Sequence, residues 1–124
     1  MERYLIDTNI LIWWFKHDNR LTAHLINIIQ ENHVAVSIVS CWEVMIKLQI
    51  KKLQMPLSIR EGLVDSSFSI LDLQLNHVER LKTLDMIHRD PFDRIIIAQA
   101  IEEDYKIITS DKIFEQYPVD VINP

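Results

Sequence analysis

Short β-branched runs alternate with longer helix-like segments along all 124 residues, and this alternation is the strongest constraint on what the chain can fold into. Residues 3–6, 34–39, 68–71, 106–109 and 119–122 read as strands. Most of them carry apolar residues consecutively rather than at every second position, which is the pattern of strands covered on both faces. Helical spacing lies between them, at about 8–16, 22–31, 40–51, 58–65, 76–84 and 91–104, with a short piece after Asp111. Thr22, Ser40, Ser58 and Asn76 each stand where a side-chain oxygen caps a first turn. Cys41, Val44, Met45 and Leu48 share one face of the third helix at i, i+3, i+4 and i+7, and that face should pack on the sheet. The expectation is a three-layer α/β/α domain, a parallel sheet between two helical layers, formed by residues 1–124 as one unit.

Composition removes several function classes. The one glycine, Gly62, is too few for the Gly-rich loops that bring backbone amides onto phosphates, so dinucleotide-fold and P-loop readings fall away. The one cysteine, Cys41, makes neither an internal disulfide nor a thiolate zinc site, and reads as a small buried hydrophobe. No apolar run is long enough to span a bilayer and no secretory pattern opens the sequence, which leaves the cytoplasm as the expected location. Lys and Arg number 13 against 18 Asp and Glu, a formal net charge of -5, so the broad basic field of a typical nucleic-acid binder is missing. That balance still admits a nucleic-acid substrate brought in by a bound metal.

Parallel α/β sheets gather ligands beyond the carboxyl ends of their strands. Asp7 follows the first strand directly, Glu43 lies about one turn into the helix after the second, Asp93 occupies the first turn of the 91–104 helix, and Asp111 follows the fourth strand. Four acids remote in sequence are thus expected at one rim. Clustered carboxylates raise one another's pKa unless a cation joins them, and an all-oxygen donor set suits magnesium, or manganese, better than zinc. Thr8 and Asn9 at the start of the first helix, and Thr109 two residues before Asp111, are placed to hold the acids or meet a phosphate. Arg94 and Lys47 are candidate phosphate neutralisers, although Lys47 at i+4 from Glu43 reads first as its ion-pair partner.

The same segments carry a family resemblance. LIDTN near the start, S-x-x-S-x-W-E followed by Lys47, D-P-F-D-R-x-x-x-A-Q-A, and I-T-S-D-x-x-F resemble the PIN-domain ribonucleases, most closely the VapC-like toxins of toxin–antitoxin pairs. The resemblance implies a sheet of order 3-2-1-4-5, a magnesium-dependent endoribonuclease, a homodimer, and inhibition by a small antitoxin encoded beside it. It assigns Asp7, Glu43, Asp93 and Asp111 as the catalytic acids, with Asp7, Asp93 and Glu43 on the metal and Asp111 on a second ion or the attacking water. One departure is visible: relatives end the third helix with Gly-Lys, where this chain has Lys51 and Lys52, so that helix should run on or stop through a strained residue.

Plainer readings stand beside these. Asp90, the competitor of Asp93 for the third acid position, reads as the cap of the Pro91 helix. Trp13, Trp14 and Phe15 read as packing rather than RNA stacking. His17, His24, His33, His77 and His88 form no HExxH-type pair and read as surface or capping residues. A non-enzymatic phospho-acceptor receiver is also of this size and binds magnesium, with Asp72 as the acceptor closing a central strand. A PIN-like fold that binds without cutting is the remaining alternative.

Overall fold

The computed structural model describes residues 2–124; Met1, the first residue of the expected unit, lies outside them. Five strands, β1 (Arg3–Ile6), β2 (His33–Ser37), β3 (Ser69–Leu71), β4 (Lys106–Ile108) and β5 (Val121–Ile122), form one sheet of order β3-β2-β1-β4-β5. Every adjacent pair is parallel. The helices are α1 (Thr8–Phe15), α2 (Ala23–Glu31), α3 (Ile38–Gln49), α4 (Ile59–Ser66), α5 (Leu75–Arg80) and α6 (Pro91–Glu103), with 3-10 turns at Leu81–Thr83 and Lys112–Gln116. Among the described residues no helix is long and apolar enough to cross a membrane.

Consecutive apolar residues in the strands divide by the two-residue period of the pleat. Tyr4, Ile6, Val34, Val36 and Ile108 enter one buried cluster with Ile10 and Leu11 of α1, Leu25 and Ile29 of α2, and Val44 of α3. Leu5, Ala35 and Ile107 enter the opposite cluster with Ile96, Ile97 and Ala100 of α6 and with Phe114. Both faces of the sheet are therefore covered, as the runs require. Phe15, Trp13 and Trp14 belong to or pack against the first cluster, and Trp14 donates from its ring nitrogen to Ser66 Oγ at 2.9 Å. Gly62 also faces this layer. A Cβ there would stand 2.6 Å from the buried Phe15 ring, so the one glycine serves close helix packing rather than a phosphate loop.

Several expected boundaries move, two of them for a visible local reason. The second strand stops at Ser37, not residue 39, because the Ser37 hydroxyl accepts from Val39 N–H and starts α3 there. Ser40 is accordingly inside the helix and is not its cap. Asn76 does not cap α5 either: the helix begins at Leu75, Gln74 precedes it, and the Gln74 N–H donates to His77 Nδ1. Thr22 and Ser58 cap as expected, the latter in a reciprocal box with Glu61. The outer strands are shorter than the apolar runs that predicted them, β5 by two residues at its start. At the end of α3, Lys51 takes the left-handed conformation at φ 59°. Lys52 N–H reaches Lys47 O and Lys51 N–H reaches Leu48 O, the paired stop that glycine usually serves.

Candidate active site

The order β3-β2-β1-β4-β5 reverses direction between β1 and β4, and ligands settle in the crevice outside such a reversal. Asp7 sits on it. It leaves β1, its own N–H donates to Ile108 O, and its side chain caps α1 by accepting from Ile10 N–H at 2.9 Å. Its other oxygen accepts from Thr109 Oγ1 at 2.5 Å, and Thr109 Oγ1 accepts in turn from Asp111 N–H at 3.0 Å. One hydroxyl thus ties together the acid-bearing ends of β1 and β4. Asp7 is only 2% exposed. Burial pushes its carboxyl up to about 6 against those two hydrogen bonds, and the charges of Asp111 and Glu43 push the same way.

The other acids come from three further segments. Glu43 projects from α3 with Oε2 3.7 Å from Lys47 Nζ, while Oε1 is buried with no hydrogen-bond partner. Asp93 lies in the first turn of α6, which Asp90 caps by accepting from Phe92 and Asp93 N–H, with Pro91 as the first helical residue. Burial lifts the Asp93 carboxyl to about 7, the charges of Asp90 and Asp7 add to the rise, and a hydrogen bond from His88 opposes it. Asp111 caps the last 3-10 turn through Ile113 N–H. The four acids are electrostatic neighbours, as the sequence placed them.

The supporting residues divide. Thr109 does hold Asp7. Thr8 is buried but donates to Ser40 Oγ at 3.1 Å, so it joins α1 to α3 and does not hold the acid. Asn9 is exposed and, among the described residues, gives Asp7 no side-chain hydrogen bond. Arg94 corrects a sequence expectation. Its guanidinium is buried and donates to the carbonyls of Asp85, Leu81 and Leu84 and to Tyr117 Oη, so it fastens the loop before α6 and does not reach a phosphate. Lys47 is the ion-pair partner of Glu43.

His88 is the residue that sequence reasoning missed. It is neither a surface nor a capping residue: Nε2 lies 2.8 Å from Asp93 Oδ2 and 3.4 Å from Asp111 Oδ2. Donor atoms of His88, Asp93 and Asp111 all fall within 4.8 Å of one another, the tightest such grouping among the described residues, whereas the expected set was Asp7, Asp93 and Glu43. Its position five residues before Asp93 in H-R-D-P-F-D is the available signal, one that a paired-histidine pattern such as HExxH does not contain.

The donor set suits a divalent cation. Two carboxyls are held above the usual carboxylate range by burial and mutual charge, and a buried carboxylate oxygen lacks any donor. A hard cation relieves both conditions at once. The receiver alternative does not fit, because its acceptor closes a central strand, whereas Asp72 lies just beyond β3 at the sheet edge, with β2 between it and β1.

Comparison with known proteins bears on the fold and the family. A chain of VapBC2 from Rickettsia felis, solved bound to a DNA fragment from their promoter, superposes with a TM-score of 0.75 at 20% identity, covering 98% of each chain. A toxin–antitoxin complex from Klebsiella pneumoniae gives 0.70 at 24% identity over 96% of this chain and 95% of that one. FitAcB from Neisseria gonorrhoeae gives 0.70 at 18% identity over 98% and 97%. These likenesses establish the fold. Among curated proteins none matches significantly. Residues 4–120 match the family model of the PIN domain, a family generally of divalent-metal nucleases. A model that runs from β1 to the start of β5 takes in every strand end on which an acid was found, and the chain belongs to the PIN-domain family.

Proposed function

We propose that this chain is a metal-dependent endoribonuclease acting as the toxin of a toxin–antitoxin pair in the cytoplasm, cleaving RNA phosphodiesters with an activated water. The observation that carries the reading is the surplus of acid at the switch point: among the described residues, the buried Asp7 and the half-buried Glu43, Asp93 and Asp111 have Lys47 and His88 as their cationic neighbours. Asp7 and Asp93 would hold the ion, with Glu43 directly or through water. When bound, magnesium or manganese acidifies water, polarises the scissile phosphate and neutralises charge on the leaving oxygen.

The chain's own groups have separable tasks. Ile10 N–H and Thr109 Oγ1 fix the Asp7 carboxylate so that little reorganisation accompanies reaction. The unpartnered Glu43 Oε1 is the acceptor best placed to orient a water by its proton. Asp111, anchored by Thr109 and Ile113, stands on the other flank for a second ion or the same water. Asn9, exposed at the start of α1, is available to a backbone phosphate.

The toxin reading draws on the fold shared with chains of toxin–antitoxin structures. A small antitoxin would lay an apolar segment near the acids with a basic side chain reaching them. A homodimer is the expected assembly, and Trp42 and Met45 of α3, with Ile50 just after it, leave apolar surface for protein contacts.

The test is incubation of the purified protein with structured RNAs, with magnesium, manganese or chelator. Metal-dependent cutting that Asp7→Asn and Asp93→Asn abolish supports the proposal. Cutting that survives both variants, or RNA binding without cutting, overturns it, the latter in favour of a binding module. Co-purification with the product of the adjacent short reading frame tests the toxin assignment separately.

A further inference from the structure

The geometry points to His88 as a member of the cation centre, which gives that centre a mixed imidazole–carboxylate donor set selective for a first-row transition ion over magnesium. The inference rests on the metal-nuclease reading above and goes beyond its all-oxygen ligand set.

Three donors already stand where a shared ion needs them. Donors held at about 2.1 Å from one ion are roughly 3.0 Å apart when adjacent and about 4.2 Å apart when opposite. His88 Nε2 is 2.8 Å from Asp93 Oδ2 and 3.4 Å from Asp111 Oδ2, and the group closes within 4.8 Å. A hydrogen bond to Asp93 accounts for the first distance only. The second carboxylate, facing the same nitrogen, gives that nitrogen more acceptors than one proton serves.

His88 is also held by a buried scaffold. Its backbone N–H donates to Tyr117 Oη at 2.8 Å, and Tyr117 donates to Asp85 O at 2.8 Å. Arg94 Nη1 donates to Asp85 O at 2.9 Å and Nη2 reaches the Leu81 and Leu84 carbonyls. The imidazole meets Phe114 edge to face, with ring centres 5.8 Å apart. A buried guanidinium, a tyrosine and an aromatic wall thus fix the loop whose imidazole enters the acid cluster, the kind of outer support that orients metal-bound histidines. In the metal-free protein Nε2–H donates to Asp93. As a ligand, His88 would offer its Nε2 lone pair to the ion and carry its ring proton on Nδ1.

Imidazole is a good donor to first-row transition ions and a poor one to magnesium, which is the source of the selectivity. The test uses manganese as both ligand and probe. Pulsed electron paramagnetic resonance of the manganese-loaded protein is expected to show coupling to a directly bound imidazole nitrogen. His88→Gln should abolish that coupling and weaken manganese binding by about tenfold or more, with magnesium affinity changed far less. Because the loop is anchored through the His88 backbone and Arg94, the variant keeps the fold; thermal denaturation checks this, and His88→Asn is the second replacement.

Absence of nitrogen coupling in the wild-type protein overturns the inference, as does coupling that persists in the variant. So does an equal gain of both ions in His88→Gln, which would make the ring a mere competitor for Asp93. Each of those results leaves a metal nuclease standing. Failure of the wild-type protein to take up either ion overturns that reading as well, and the two failures are thereby told apart.

Discussion

Two histidine–carboxylate pairs lie on this fold, and their surroundings give them opposite characters. His77 Nε2 is 3.0 Å from Glu103 Oε1, its Nδ1 accepts from Gln74 N–H, and beside it Arg80 pairs with Glu102. Each acid there has its own donor, the Arg80 guanidinium holds Glu102 below the usual carboxylate range, and the result fastens α5 to α6. His88 makes an equally short contact with Asp93, yet a second carboxylate shares its nitrogen and two more acids stand behind. Burial pushes Asp93 upward, and the charges of Asp90 and Asp7 add to the rise. The pair contact alone is uninformative; the balance of charge around it separates a structural latch from a site awaiting a cation.

That contrast is broken most sharply at its two ends. Asp7→Asn is expected to lower RNA cleavage by at least about 10²–10³-fold, the scale of losing one preorganised charge-stabilising group. It should at the same time raise the stability of the metal-free protein at pH 8 by about 1–3 kcal/mol, since a buried charge is replaced by a neutral amide whose Oδ1 can still accept from Ile10 N–H while its Nδ2 donates to Thr109 Oγ1, the reverse of the present bond. Cleavage assays and denaturant melts read the two effects. A variant both inactive and destabilised would place Asp7 in the structural class with Glu103. Removing the loop clamp comes next: Arg94→Met takes the guanidinium from the Asp85, Leu81 and Leu84 carbonyls, of which Asp85 O keeps Tyr117 Oη and Leu81 O keeps Leu84 N–H, and should cost about 1–3 kcal/mol in the same melts.

Acid dependence is the third comparison. A carboxyl whose pKa is higher folded than unfolded binds more protons in the folded state between the two values. Asp7 rises from 3.8 to about 6 and Asp93 to about 7, so their contribution to stability is full below about pH 4 and is lost as pH climbs through 6 to 7. For Asp7 alone the loss is about 3 kcal/mol. A divalent cation reverses this, and its stabilisation of the melt should be larger at pH 8 than at pH 5. In His77→Gln, by contrast, stability should fall by about 1–3 kcal/mol with cation affinity unchanged. Calorimetry with manganese at both pH values reads all of these.

How far the sequence foretold this follows from what kind of signal each feature leaves. Apolar runs and caps reveal strand and helix identity because burial acts on whole segments, and the strand-end rule then put Asp7, Glu43, Asp93 and Asp111 on one rim without coordinates. Boundaries failed where two hydroxyls competed: Ser37 and Ser40 are equally good caps, and only the sheet register decides that Ser37 turns the chain while Ser40 meets Thr8. Arg94 and His88 failed for a related reason. Whether an arginine beside a catalytic acid points at a phosphate or at its own loop depends on the carbonyls that the loop presents, and Tyr117, which completes the clamp, is 23 residues away from Arg94. No local pattern encodes that meeting.

The smallest effect probes Lys47, the one cation among the described residues within ion-pair distance of Glu43. The Lys47–Glu43 pair is 3.7 Å long, at i, i+4, with the lysine about one-third exposed, so Lys47→Met should change stability by no more than about 0.5 kcal/mol. Its functional effect has a sign. If Lys47 only balances Glu43 until a metal arrives, removing it frees that carboxylate and should strengthen manganese binding by about two- to threefold at low ionic strength, an advantage that fades with added salt. If Lys47 serves the phosphate, cation affinity stays level and the KM for RNA rises instead. Paired manganese titrations and RNA kinetics at two salt concentrations separate the outcomes. The first is expected, because Glu43 Oε1 already lacks a donor while Lys47 lies beside Oε2, so the acid rather than the base is the group left short of a partner.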